Sequence, residues 1–358
     1  MVRPVAARVK ALLNEFIGVL RSGVWILEGE ESAGKEPLKM FFAGSEAQKS
    51  HLSELAFGGT CREQNLGKLY FWKILYLLFT NRSRCNIAII EGSRLHRYLY
   101  KHSGDFFMPI WIKSEVSIPL EAVSKSCKSD LARIRRCNLS YEIAKEAARV
   151  DDFYHSIYRP AVNRSHGESA IEIDYETMMR MLNQGKCVLL LIMKEGITIS
   201  GVLIILSATP RLWAAGVVDD GHSYQKECGA YGAIYHFASE YLSEQGYPAM
   251  HLGMSRSFLN DGILQFKNKW NHRVMGYDSS GFVLKILRAS EGADDFLINN
   301  PFACLEDEKL YSMVFLQRDA EYSDKSYQRL RKRYFLAGFS GLSVFRQGTQ
   351  AGDFSKVV

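Results

Sequence analysis

Met250–Asn271, MHLGMSRSFLNDGILQFKNKWN, is the stretch whose reading decides the fold. It opens on a short apolar strand, Ala249–Leu252, and runs into a Gly253-Met254-Ser255-Arg256 turn. Asn260-Asp261-Gly262 then marks a helix start, because Asn and Asp side chains satisfy free backbone N–H groups at an N-cap. The amphipathic helix that follows ends Phe266-Lys267-Asn268-Lys269-Trp270-Asn271. Neighbouring residues on a helix do not share a face. The pattern therefore groups Phe266 with Ile263 and Trp270 toward the core and leaves Lys267 to project toward a ligand. Asn271 stops the helix, since Asn tolerates a left-handed backbone.

The elements upstream of this stretch have a clear order. A helix over Tyr175–Gln184 ends at Gly185. Strands Cys187–Lys194 and Ile199–Ala208 form a hairpin across Glu195-Gly196. Trp213–Val218 is a third strand, followed by a loop, Asp219–Ala230, and a helix, Tyr231–Gln245, stopped by Gly246. Strands near Val274–Ser279 and Phe282–Leu287 close this part of the chain. The first 150 residues read as mixed α/β. A helix covers Pro4–Leu20, strands cover Val24–Glu28 and Lys39–Ala43, and a helix over Lys68–Thr80 feeds strand Asn86–Glu91. A short helix Arg94–Tyr100 and a strand Phe106–Lys113 follow. A basic helix spans Leu120–Arg136, a strand Leu139–Ile143, and a helix Val150–Arg159 that breaks at Pro160. No internal repeat can be aligned by sequence.

Helix, hairpin, strand, loop, helix, strand is the central order of the GNAT fold. The signature around Phe266-Lys267-Asn268-Lys269-Trp270 resembles that of Fem-type transferases, peptidoglycan-bridge aminoacyltransferases within the GNAT superfamily. Such a stretch in these enzymes carries glycine where this chain has Asn271. The resemblance implies an α/β fold of two GNAT-like lobes in tandem, with a mixed central sheet flanked by helices. The division expected is a degenerate lobe over residues 1–150, a C-terminal acyltransferase domain over 151–320, and a basic helix and loose Gly-rich tail over 321–358.

The resemblance also implies an activity: direct transfer of an acyl group from acyl-CoA to an amine. The alternatives are a Fem-like aminoacyl-tRNA-dependent transfer that forms an amide, and a GNAT-like binding module without catalysis. Lys267 matches a lysine at the transfer centre of the family, where an ammonium can stabilise the oxyanion formed on attack. The plain alternative is a surface lysine. Lys226, Gly229, Ala230 and Gly232 stand where the family holds the donor pyrophosphate on a loop and helix start; the usual Arg/Gln-x-x-Gly-x-Gly/Ala pattern is not met in strict form. Tyr158, Arg159 and Asn163, with Ser255, Arg256 and Phe266, are the acceptor-side candidates. His166 is a candidate general base because its ordinary pKa lies near ~6.5, with Asp261 or Asp219 as alternatives. Loop histidines and helix N-termini also occur without any such role.

Composition narrows the field. The chain has 358 residues, 47% hydrophobic and 23% charged, with a net charge of +6 that suits an anionic donor such as coenzyme A or tRNA. Two basic helices, Lys125–Arg136 and Lys325–Arg333, could make a tRNA track or be ordinary solvated faces. Seven cysteines, an odd number with no CxxC pair, fit neither a zinc framework nor a disulfide scaffold and point to a reducing cytoplasm. Gly29–Glu36 imitates a P-loop, but Glu36 replaces the magnesium-binding hydroxyl, Pro37 follows, and the four glutamates Glu28, Glu30, Glu31 and Glu36 would repel phosphate. No Gly-x-Ser-x-Gly elbow, HExxH or GxGxxG is present. No metal, no signal peptide and no membrane span is expected.

Overall fold

The computed structural model describes residues 21–93, 104–121, 124–144, 146–166, 173–218, 222–348, 350 and 353–357. The expected helices Pro4–Leu20 and Arg94–Tyr100 lie outside the described residues. The chain begins with β1 (Arg21–Glu30), β2 (Pro37–Gly44), α1 (Glu46–Phe57), β3 (Arg62–Tyr70), α2 (Phe71–Thr80), β4 (Ile87–Gly92) and β5 (Phe106–Pro109). There follow β6 (Trp111–Ser117), α3 (Lys125–Arg136), β7 (Ser140–Ala144), α4 (Ala147–Asp152), a π-helical turn (Phe153–Tyr158), α5 (Arg159–His166) and α6 (Tyr175–Asn183). Next are β8 (Cys187–Lys194), β9 (Ile197–Ile205), β10 (Arg211–Val217), α7 (His222–Cys228), α8 (Ala230–Glu244), β11 (Ala249–Arg256), α9 (Gly262–Asn268) and β12 (Arg273–Tyr277). The last elements are β13 (Gly281–Ile286), α10 (Glu291–Asn299), β14 (Phe302–Glu306), β15 (Lys309–Leu316), α11 (Asp324–Tyr334), β16 (Gly341–Gln347) and β17 (Phe354–Lys356).

Two compact units divide the chain. One contains the described residues up to Ile112 with Arg256–Gly262 and those from Gly276 onward; the other contains Lys113–Ser255 and Ile263–Met275. The first unit holds a sheet of order β3-β1-β2-β4-β13-β5, and the second unit's sheet has the order β12-β6-β11-β10-β9-β8-β7. The two sheets have the same plan. In the first, β1 and β2 are antiparallel, β2 is parallel to β4, and β13 lies between β4 and β5. In the second, β9 and β10 are antiparallel, β10 is parallel to β11, and β6 lies between β11 and β12. A mixed α/β lobe of one plan is thus present twice. Each sheet takes its penultimate strand from the other half of the sequence, which is why no linear repeat is visible.

In the second unit, helices cover both faces of the sheet. Leu190, Ile192, Val202, Ile204, Met250 and Leu252 pack with α3 and α8. Leu189, Leu191, Leu203 and Ala214 pack on the opposite face with Phe153, Tyr154, Ile157 and Met178. In the first unit, Trp25, Leu27, Met40, Phe42, Ile87 and Ile89 share a core with α1, α10 and the third sheet, β14-β15-β16-β17.

Several expectations need correction. The helix expected to break at Pro160 runs on from α4 through the π turn into α5. The Arg159 N–H donates to the Tyr154 carbonyl, five residues back. The widened turn passes directly into a new α segment with Pro160 in its first turn, where a missing N–H costs little. Lys68–Tyr70 is strand rather than helix, paired with Arg21–Gly23 of β1. The basic helix starts at Lys125, where the Ser124 hydroxyl accepts from the Cys127 N–H at 3.0 Å. Part of the expected 219–230 loop is helix α7. The C-terminal segment is not loose throughout: Leu342 and Val344 are buried, and β16 pairs in parallel with β15.

Candidate active site

The Gly253-Met254-Ser255-Arg256 turn is in fact the end of strand β11. Gly253 takes a φ of +73°, which glycine adopts without Cβ strain, and this bends the strand without ending it. β10 and β11 share one register position, Arg211↔His251, beside which the His251 N–H donates to the Pro210 carbonyl at 2.7 Å. Past that point the two parallel strands make no further register pair. Met254 is half exposed at this end, while Ser255 is buried.

Helix α9 delivers Lys267 to that strand end. The buried positions are Leu264, Lys267 and Trp270, three residues apart, whereas Ile263 is 50% exposed. The expected buried face is therefore rotated, and Lys267 points inward. It is 2% exposed, and its ammonium donates to the Met254 carbonyl at 2.9 Å and to the Ser255 hydroxyl at 2.8 Å. A charged amine is buried only where polar groups take over from water, and the strand end provides them.

His272 follows the helix and is also buried. Neither ring nitrogen has a hydrogen-bond partner. Burial, and after it the positive charge of Lys267, pushes the imidazole pKa down to about 4. His272 is therefore neutral at physiological pH. No sequence pattern marks it, because a single histidine after a helix stop has no characteristic spacing. Phe266 is half buried, with its ring 5.2 Å from Tyr235 and 6.4 Å from Tyr231, and Lys269 stands 3.8 Å above it.

The turn expected to hold donor phosphates is occupied by the chain's own groups. The Tyr231 N–H at the start of α8 donates to the Gln225 side-chain carbonyl at 2.8 Å. Arg133 donates to the carbonyls of Gln225 and Lys226 at 3.2 and 3.1 Å, and Arg136 to that of Glu227 at 2.9 Å. A Cβ on Gly232 would stand 2.9 Å from a carboxylate oxygen of Asp130. Asp130 is fully buried and pairs with both Arg133 and Lys269. Gly229, with φ +71°, and Ala230 are buried, and Lys226 is exposed.

The remaining candidates are dispersed. Tyr158 lies in the apolar layer beneath the sheet, and its hydroxyl accepts from the Ile173 N–H at 3.1 Å. Arg159 and Asn163 are exposed on the same helical run. The side chain of His166, like Asp219, lies outside the described residues. Arg256 and Asp261 belong to the other compact unit. There the Arg256 guanidinium donates to Gln48 at 2.5 Å and lies 4.0 Å over the Trp111 ring. Burial lowers its pKa to about 10, against the opposing charges of Asp261 and Glu91. Among the described residues, no three His, Cys, Asp or Glu side chains are grouped to hold a metal ion. Among those residues, too, no helix is long and apolar enough to cross a membrane.

No family model matches this chain, and no curated protein matches it. Solved structures do. One is the C-terminal domain (DUF2156) of an Agrobacterium fabrum protein named as a lysylphosphatidylglycerol synthetase. It has 14% identity and a TM-score of 0.36, over 75% of this chain and 82% of that one. L-PGS from Bacillus licheniformis matches at 12% identity and a TM-score of 0.31, over 60% of this chain and 62% of that one. A GCN5-related N-acetyltransferase from Anabaena variabilis matches at 10% identity and a TM-score of 0.32, over 79% and 62%. The chain thus spans less than two thirds of the latter two.

Proposed function

We propose that this chain transfers an activated acyl group directly to an amine, with Lys267 as the cation at the reacting carbonyl. The carrying observation is the buried ammonium, tethered to the Met254 carbonyl and the Ser255 hydroxyl at the C-terminal end of β11, beyond its one register pair with β10. In a water-poor setting a fixed positive charge lowers the cost of a developing oxyanion far more than it would in water. The acceptor amine attacks the donor carbonyl, the ester or thioester oxygen or sulfur departs, and the amine proton passes to solvent. A neutral imidazole with a pKa near 4 is too weak a base to take that proton efficiently at neutral pH. His272 is assigned instead to keeping the surroundings of Lys267 polar but uncharged.

The turn before α8 bears on the donor class. A diphosphate there would have to displace Gln225 and Arg133 and approach the Asp130 carboxylate beside Gly232. That favours an aminoacyl ester, as on aminoacyl-tRNA, over acyl-CoA. In the acyl-CoA reading, Lys226, Gly229, Ala230 and Gly232 open to receive the pyrophosphate, and exposed Lys226 supplies charge. Tyr158, Arg159 and Asn163 remain proposals for the acceptor side, and His166 for the general base. Calorimetric titration with acetyl-CoA and desulfo-CoA, beside filter binding of a mixed aminoacyl-tRNA pool, separates the donors. Aminoacyl-tRNA binding without coenzyme A binding is the expected result. Saturable coenzyme A binding abolished by Gly232→Trp would reverse the donor assignment, and failure of both would remove the transferase reading.

A further inference from the structure

Helix α2 presents an apolar face that the fold does not use. Of its ten residues, Phe71–Thr80, only Ile74 and Leu78 are buried. Trp72, Tyr76 and Phe79 recur at helical spacing on the outer side and are 55, 50 and 93% exposed, with Tyr70 just before them at 45%. Four of the nine large exposed hydrophobic side chains among the described residues fall within these ten positions, 70–79. Scattered exposed apolar residues are ordinary, but a concentrated patch marks an interaction surface.

The charge around the patch is one-sided. From Leu66 to Cys85 the sequence carries Lys68, Lys73, Arg82 and Arg84 and no Asp or Glu. All four basic side chains are exposed. The aromatic rings and the cations are also organised together. Tyr70 stacks on Trp72 with centroids 4.6 Å apart. The Arg21 guanidinium lies 5.5 Å from the Tyr70 ring, and that of Arg82 lies 5.8 Å from Tyr76. Apolar and aromatic side chains on one side of a short helix, bordered by Lys and Arg, are the makeup of a helix that lies in a bilayer interface. Ten residues extend only about 15 Å, which is too short to span a membrane.

We infer that α2 docks this protein on an anionic lipid bilayer. Trp72 and Phe79 enter the boundary between headgroups and acyl chains, while Lys68, Lys73, Arg82 and Arg84 face the headgroup phosphates. A single-stranded nucleic acid also stacks on aromatic rings, but such sites interleave rings and cations along a groove. Here the cations border an apolar ridge that includes the half-buried Leu75 and Leu77, and those side chains gain nothing from a phosphate backbone.

The test is co-sedimentation of the full chain with phosphatidylcholine vesicles, with and without about a third phosphatidylglycerol. Binding to the anionic vesicles is expected and should weaken with added salt. The double variant Trp72→Ser/Phe79→Ser should reduce it to the level of neutral vesicles. Lys73→Ala and Arg82→Ala should each weaken it roughly fivefold, the effect of about one kcal/mol per basic residue at such a surface. Both side chains are exposed, so these variants should melt like the parent, and the two basic variants test the proposal even if the aromatic pair disturbs folding. Failure of the parent protein to bind anionic vesicles overturns the inference, as does unchanged binding by the variants. So does loss of self-association or of tRNA binding, in place of vesicle binding, in the aromatic variant.

Discussion

Lys267 and His272 are two titratable side chains buried close together, and they give opposite kinds of prediction. Replacing Lys267 with Met keeps much of its length and removes the charge. Single-turnover acyl transfer should fall by about 100-fold or more, with the thermal midpoint shifted by only a few degrees. An unchanged rate would leave Lys267 a structural residue. His272 affects stability instead. Its folded pKa, about 4, lies below the ordinary 6.5. Above pH 6.5 both the folded and unfolded forms are neutral. As the pH falls toward 4 the unfolded chain takes up a proton that the folded chain refuses, and stability drops by on the order of 3 kcal/mol. Urea unfolding across that window should show a steeper loss for the parent than for His272→Phe; equal slopes would place His272 in contact with water. The residue types at this site were largely legible in the sequence, but their orientation was not. Ile263, Phe266 and Trp270 fit one helical stripe and Leu264, Lys267 and Trp270 another. Only packing against β11 selects the second. A rule that places lysine outside chooses wrongly here, because the Ser255 hydroxyl and the Met254 carbonyl wait inside.

The π-helical turn Phe153–Tyr158 rests on glycines of the sheet. A Cβ on Gly216 would stand 2.8 Å from the Ile157 carbonyl oxygen, and one on Gly201 3.0 Å from the Phe153 ring. Gly216→Ala should therefore destabilise the second unit by about 1–3 kcal/mol through overpacking, read as a lowered unfolding midpoint. A midpoint equal to the parent's would mean that the helix shifts away at no cost. Most strands and helices of the second unit were legible, because period-2 and period-3.6 apolar patterns are strong there. The Cys187–Lys194 strand and its Glu195-Gly196 turn match the structure; positive φ values of +52° and +80° give the turn that a two-residue hairpin favours. The misses have local causes. Pro160 signals a helix end unless a π turn precedes it, and no sequence rule announces a π turn. Helix α1 has little amphipathic contrast and was not foreseen. The turn before α8 reads as a phosphate site from Gly229, Gly232, Lys226 and the family resemblance, and its partners Arg133 and Asp130, which no local pattern announces, come from a helix some 95 residues earlier in the chain.

At the scale of the whole molecule, connectivity governs what can be cut. A fragment starting at residue 151, where a C-terminal domain was expected to begin, lacks β6, β7 and α3 of the second unit. It should fail to unfold cooperatively, and a fragment ending at 150 should fail likewise because β13 is missing between β4 and β5. Circular dichroism melts of both fragments check this, and a sharp transition in either would show that the strand inserted from the other half is dispensable. The tandem plan itself was expected from family resemblance, not from any repeat in the sequence. The same insertion sets a timetable for birth on the ribosome. β5 ends at Pro109, and the strand that bridges it to β4 begins at Gly281, about 170 residues later. At ~5–20 residues per second, the edge of β4 goes without its neighbour for roughly 10–35 s. A nascent chain with such a vacancy is a natural client for a chaperone that shields strand edges, and slowing its translation should lengthen that dependence.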